Sequence, residues 1–137
     1  MLIYNKKQPE HLGNIELLKM KMTGFLASRN IPTLLVLPTL DWAMEIRQRE
    51  DMAVVSGFHS PMEKEVLKIL LRGRCGIIVV LARGMYHKVP KPYEEALQQN
   101  RLLILSYEKD SVIRVSEQTA HKRNKYVISL SDEIKRL

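Results

Sequence analysis

The sequence contains a single cysteine, Cys75, so no disulfide can form within the chain, and that residue borders a strongly apolar run. This usage points to a reducing compartment, most simply the cytoplasm. Aromatic residues make up only 6% of the chain and glycine and proline number six each, and no internal repeat or low-complexity segment is evident. No run suits a membrane helix, because the longest apolar stretch, residues 76–82, falls far short of the roughly 20 residues needed. At the start, Met1-Leu2-Ile3-Tyr4 gives way at once to Asn5, Lys6 and Lys7, so no secretory signal is expected. His11, His59, His87, His121 and Cys75 lie without metal-ligand spacing, and neither a metal nor a cofactor is expected. GxGxxG, GxxxxGK(S/T) and GxSxG are all missing, which argues against a dinucleotide dehydrogenase, a P-loop NTPase and a nucleophile elbow.

What is present fits one soluble domain over residues 1–137, with 1–12 a loose polar N-terminal segment. Hydrophobic residues at 45% and charged residues at 27% suffice for a packed core. The formal net charge of +7 favours a phosphate-bearing partner, either a nucleotide or a nucleic acid.

Along the chain, Ile15-Glu16-Leu17-Leu18 is a short amphipathic piece after the Gly13-Asn14 turn. Thr23-Gly24-Phe25-Leu26-Ala27 suits a buried strand ending at Ser28-Arg29-Asn30. Within residues 32–50, Leu37, Leu40, Ala43 and Met44 recur at helical spacing, which predicts a helix started or kinked near Pro38. Met52-Ala53-Val54-Val55 is a strand that closes at Ser56-Gly57. Ser60-Pro61-Met62-Glu63 then combines an N-cap serine, a proline at the first helical position and a capping-box glutamate. Val66, Leu67, Ile69, Leu70 and Leu71 form the apolar face of this helix, and Gly73 stops it. Ile77-Ile78-Val79-Val80-Leu81 is continuous and β-branched, as in a parallel strand buried on both faces. A helix over 92–99, a strand over 101–105 and a longer helix from about 112 to 130, or on to the chain end, complete the pattern. The alternation predicts an α/β fold: a three-layer Rossmann-like open, mostly parallel sheet with helices on both faces.

In such a sheet ligands bind beyond the carboxyl ends of the strands. That rule selects Ser28 and Arg29, the turn Ser56-Gly57-Phe58-His59-Ser60, Arg83-Gly84 and Ser106-Tyr107. In the turn, Gly57 permits a tight bend and the following helix offers free amides and a positive dipole end to an anion. Ser56, His59 and Ser60 add side-chain donors. Arg83 offers a planar fork for phosphate, and Gly84 a close backbone approach. His59 and Glu63 are candidate acid/base groups, although Glu63 is more simply the capping glutamate. The last helix is basic in its middle, with His121, Lys122, Arg123 and Lys125, as a solvated face would also be.

The strand ending Val54-Val55-Ser56-Gly57, the segment 77–84, and Lys122-Arg123-Asn124-Lys125-Tyr126 running on to Leu130-Ser131-Asp132 resemble the DNA-processing protein A (Smf) family. Ser56-Gly57-Phe58-His59-Ser60-Pro61-Met62-Glu63-Lys64 is more specifically similar to a short, stand-alone branch of it, described as Rossmann-like nucleotide-binding proteins. The resemblance spans roughly residues 23–132. It implies a Rossmann-like fold shared with the Lonely-guy phosphoribohydrolases and, from the full-length family, binding of single-stranded DNA for hand-over to the strand-exchange recombinase. It places Ser56, Gly57, His59 and Ser60 at a pocket, with Arg83-Gly84 beside it and Arg123-Asn124 supplied by the last helix. Lys125 stands where the full-length family has the third residue of Arg-Asn-Arg. The strand and glycine-rich turn that follow Leu-Ser-Asp in that family are expected to be missing, and the PGGxGT motif of the phosphoribohydrolases is absent.

The expected function is therefore non-catalytic binding of a nucleotide or of the phosphates of single-stranded DNA. The alternative is a small enzyme acting on a nucleotide or a nucleotide-derived second messenger, with His59 or Glu63 as its acid or base. A homo-oligomer formed through exposed strand edges is a third expectation.

Overall fold

A computed structural model describes residues 8–137. Four strands form its parallel centre: β2 (Lys21–Leu26), β3 (Met52–Ser56), β4 (Gly76–Leu81) and β5 (Leu102–Ser106). Two further strands, β1 (Glu10–Gly13) and β6 (Glu133–Arg136), complete a six-stranded sheet in the order β1-β5-β4-β3-β2-β6. Only β1 is antiparallel; it pairs with β5, while β6 pairs parallel with β2. Helices α1 (Val36–Ile46), α2 (Pro61–Leu71), α3 (Glu94–Gln98) and α4 (Glu117–Leu130) cover the two faces.

Strand alternation builds two cores. Ile77 and Val79 of β4 point to one face, where Ala43 of α1, Val66 and Leu70 of α2 and Ala96 of α3 meet them. Ile78 and Val80 point to the other, beneath Val127 of α4 and Leu17 of a short 3-10 helix (Ile15–Lys19). Strands β2 to β5 are sequential neighbours, so right-handed crossovers place α1, α2 and α3 on one side. The next connection then reverses: α4 crosses the opposite face and delivers β6 beside β2. The expected open sheet with helices on both faces is what forms.

Three expectations change. The polar N-terminal segment is not loose throughout, because residues 10–13 form β1 with His11 opposite Leu105; residues 1–7 lie outside the described residues. A solvated edge strand accommodates Glu10 and His11, which read as loop composition. The last helix starts only at Glu117, capped by Ser116, and it stops at Leu130 instead of running on. A strand does follow it: the Asp132 carboxylate accepts from the Met22 N–H at 2.7 Å, and the Asp132 N–H donates to the Met22 carbonyl at 2.8 Å, locking β6 onto the sheet. In α1 the helical period holds but its phase shifts. Thr39, Ala43 and Ile46 face the sheet, where small residues allow close packing, while Leu37 is 70% and Met44 46% exposed.

Candidate functional site

The C-terminal ends of β2, β3, β4 and β5 lie at one pole of the sheet, and the capped start of α2 stands among them. Ser60 accepts from the Glu63 N–H at 3.4 Å and the Ser60 N–H donates to Glu63 Oε1 at 3.2 Å, completing the capping box. Glu63 does more than cap. Its Oε1 also accepts from the His59 N–H at 2.9 Å, and its Oε2 accepts from the Ala27 N–H at 3.0 Å, just past β2. This carboxylate is buried, so its charge is balanced by three backbone donors and its bonds tie the β2 and β3 turns together.

The turn itself differs from its sequence reading in a useful way. The left-handed residue is Phe58, at φ 49°, and its N–H donates to the Ser56 hydroxyl at 3.0 Å. Gly57 is needed for a different reason. A Cβ placed there would sit 2.5 Å from Cδ, Nε and Cζ of Arg123, so the glycine leaves a slot in which that arginine lies. The amides expected to face an anion are largely committed: those of His59 and Ser60 go to Glu63, Pro61 has none, and that of Glu63 goes to Ser60. The positive charge at this pole therefore comes from side-chain cations rather than from helix amides.

Arg123 is the central one. It arrives from α4 and is 6% exposed, with its Nε donating to Asn124 Oδ1 at 2.8 Å. Burial lowers its pKa and the Glu63 charge opposes that, while an arginine remains cationic at neutral pH. Arg83 lies on the loop after β4, its Nε donating to the Gly84 carbonyl at 3.0 Å and its guanidinium 5.1 Å from the centre of the Tyr86 ring. Ser106, at the end of β5, donates to the Arg83 carbonyl at 2.7 Å and so fixes that loop. The close approach at Gly84 is made by the chain itself: a Cβ there would meet the Lys109 carbonyl oxygen at 2.6 Å. His59 is held below its ordinary pKa by partial desolvation first, then by the charges of Arg123 and Lys64.

Two clefts flank Arg123. One, of about 450 Å³, runs between α2 and the loop after β4, with Gly57, His59, Arg83 and Arg123 in its lining. Its floor is apolar, from Phe58, Leu67, Val79, Tyr86 and Pro90, and Lys64 and Lys68 stand along its α2 side. The other, of about 430 Å³, opens between the end of β2, α4 and the end of β6; Ser28 and Asn124 line it. Arg29 is exposed on the turn beside it, and the Ser28 hydroxyl donates to the Asn30 carbonyl at 3.0 Å. Ser56, Ser60 and Gly84 serve the local architecture instead. Sequence reasoning did not single out Tyr86, Lys64 and Lys68, although the i, i+4 spacing of the two lysines places them on one face of α2. Arg136 was beyond reach as long as β6 was not foreseen. Among the described residues no three His, Cys, Asp or Glu side chains are grouped to hold a metal ion, and no helix is long and apolar enough to cross a membrane.

A doubly wound α/β domain with cation-lined clefts at the carboxyl ends of its parallel strands is of the class that receives nucleotides and phosphates there. Within that class, the chain belongs to the DNA recombination-mediator protein A family, whose pattern matches residues 6–134. Among solved structures it is similar to DNA processing protein A from Helicobacter pylori, studied for its single-stranded DNA binding mode, with 22% identity and a TM-score of 0.71 over 98% of this chain and 62% of that one. It is also similar to DNA processing protein A from Streptococcus pneumoniae, with 17% identity and a TM-score of 0.68 over 98% of this chain and 47% of that one. The chain thus spans between about half and two thirds of the length of these two proteins. No curated sequence matches it.

Proposed function

We propose that this protein binds single-stranded DNA, or the nucleotides that compose it, by seating phosphate in the cleft between Arg83 and Arg123. The observation that carries this reading is the placement of Arg123. A guanidinium buried from a distant helix against Gly57, with one hydrogen bond among the described residues, costs solvation that an incoming phosphate would offset. The +7 net charge, family membership and the fold shared with a single-stranded DNA-binding protein support the same reading. A catalytic role for His59 has weaker support, because Glu63, the carboxylate beside it, turns both oxygens to backbone N–H groups instead of the imidazole. The buried lone cysteine suits a reducing compartment, and we place the protein in the cytoplasm.

The test is fluorescence anisotropy with a labelled oligothymidylate over a range of salt. Affinity should fall with salt, and Arg83→Ala or Arg123→Ala should weaken binding and flatten the log–log slope by about 0.7 for each phosphate no longer neutralised. Binding that is absent, or insensitive to salt, for both mononucleotides and oligonucleotides would refute the proposal.

A further inference from the structure

We propose that β6 is a pairing edge for a second copy of this chain: two β6 strands join antiparallel about a two-fold axis at Ile134, and two six-stranded sheets become one. This pairing does not depend on what the ligand pole binds.

β6 ends the strand order beside β2, so among the described residues its outer backbone edge faces no strand. Exposed edges are ordinarily kept apart by charge, because a lysine or glutamate that meets its own copy is repelled. Here the order of the charges reverses that effect. Asp132-Glu133-Ile134-Lys135-Arg136 runs from two acids through one apolar residue to two bases. Turned end for end, the same segment is its own charge complement.

The faces agree with this. The Thr23 hydroxyl donates to Glu133 Oε1 at 3.1 Å, and the Lys135 ammonium lies 5.7 Å from the centre of the Trp42 ring, so both side chains stand on the face that α1 covers. Ile134, between them, points to the other face and is 41% exposed. A two-fold axis normal to the sheet returns each face to the same side, so residues directly opposite must share a face. Centring the axis on Ile134 sets that residue against its counterpart, and Glu133 of each copy opposite Lys135 of the other. Moving the centre by one residue either way sets Glu133 against Glu133 or Lys135 against Lys135, so charge selects a single register. Among the described residues neither Glu133 nor Lys135 makes an ion pair within its own chain. The outer pair, Asp132 with Arg136, adds less, because the Asp132 carboxylate already accepts from the Met22 N–H and Arg136 adjoins Leu137 at the chain end.

The opposite edge of the sheet has no such pattern: β1, Glu10-His11-Leu12-Gly13, holds one acid and no lysine or arginine. Antiparallel pairing of β6 also puts the two ligand poles at opposite ends of the joined sheet. An edge running from Asp132 to Arg136 is smaller than the roughly 1,200 Å² that stable complexes bury, so the pairing is expected as a weak dimer that forms with rising concentration.

The experiment is sedimentation equilibrium over a concentration series, on the wild type, Glu133→Lys, Lys135→Glu and an equimolar mixture of the two variants. The wild type should move from the monomer mass toward the dimer mass. Each charge reversal alone turns both attractive pairs into repulsive ones and should weaken self-association by about tenfold or more. The mixture should regain the wild-type association, because each variant then supplies the charge that the other lacks, and a misfolded variant could not be restored in this way. A wild type that stays at the monomer mass throughout overturns the proposal. So does a dimer that neither reversal weakens, since the copies then meet elsewhere, and so does a mixture that associates no better than the variants alone.

Discussion

Replacing Gly57 by alanine separates the role of this residue from that of an ordinary turn glycine. Its backbone is not left-handed, the positive φ falling on Phe58, so alanine is conformationally acceptable and lowers unfolded-state entropy, worth about 0.4–1 kcal/mol of stability. The added methyl, however, would stand 2.5 Å from three atoms of Arg123. Overpacking of this kind typically costs about 1–3 kcal/mol if nothing moves. Here the obstacle is a flexible side chain, and the cheapest relief is for Arg123 to leave its slot. The net loss of stability should therefore stay within about 2 kcal/mol.

Binding should suffer more. A hydrogen bond to a charged partner is worth about 1.5–3 kcal/mol, which corresponds to roughly 10- to 150-fold in affinity for the oligothymidylate. The decisive assay is a double-mutant cycle. Arg123→Ala should cost a similar factor, and Gly57→Ala added to Arg123→Ala should cost little more, because the methyl then has nothing to displace. Binding by Gly57→Ala within twofold of wild type, alongside a tenfold or greater loss in Arg123→Ala, would refute the slot. Additive losses in the double variant would do so equally.

Acidification bears on His59. Its folded pKa lies below its unfolded value near 6.5, so the unfolded state takes the proton first and His59 reduces stability as pH falls below that value. A phosphate in the cleft favours the protonated ring, so affinity should rise over the same window, and His59→Gln should remove the rise; a pH-independent wild type would contradict this. Glu63→Gln should lower the urea midpoint at unchanged m, since an amide nitrogen cannot accept from the N–H groups that the two oxygens now serve, and each orphaned donor costs about 1–3 kcal/mol. An unchanged midpoint would show that the carboxylate is dispensable. Gly84→Ala should destabilise by about 1–3 kcal/mol, because its methyl would meet backbone, the Lys109 carbonyl oxygen at 2.6 Å, and thermal unfolding checks this.

Local signals in the sequence located the centre of the fold well. The β-branched run from Ile77 to Leu81 and the Ser60-Pro61-Met62-Glu63 start of α2 carry their own physics, so strand, cap and helix could be placed without knowing the rest of the chain. The edges were not legible in the same way. Residues 10–13 and 133–136 are polar and short, and each becomes a strand only because a completed sheet offers it a partner, β5 in one case and β2 in the other. A strand held by one neighbour and by the Asp132 and Thr23 side-chain hydrogen bonds has no hydrophobic period to announce it.

The same distinction explains why the sequence points to this pole through donors that the fold commits to its own turn. Ser56, Ser60 and the amides behind them looked available because, taken locally, they resemble an empty anion cradle. Glu63 and Ser60 use these amides to close the turn, and the Ser56 hydroxyl takes the Phe58 N–H, so little of that cradle is left for a ligand. The charge that replaces it comes from elsewhere. Arg123 lies 66 residues from Gly57 in sequence and touches it only because the α4 crossover reverses over the far face of the sheet, the same crossover that carries Arg136 to the ligand pole. On the proposed reading such a pole binds through side chains on three separate elements, so its affinity depends on the crossover being in place. Disturbing the Asp132 contacts to Met22 should then weaken DNA binding although neither residue lines the cleft between Arg83 and Arg123. Asp132→Ala measured beside Lys21→Ala, which removes a cation at the opposite pole of β2, decides this: equal affinities would mean that α4 holds Arg123 in place without help from β6.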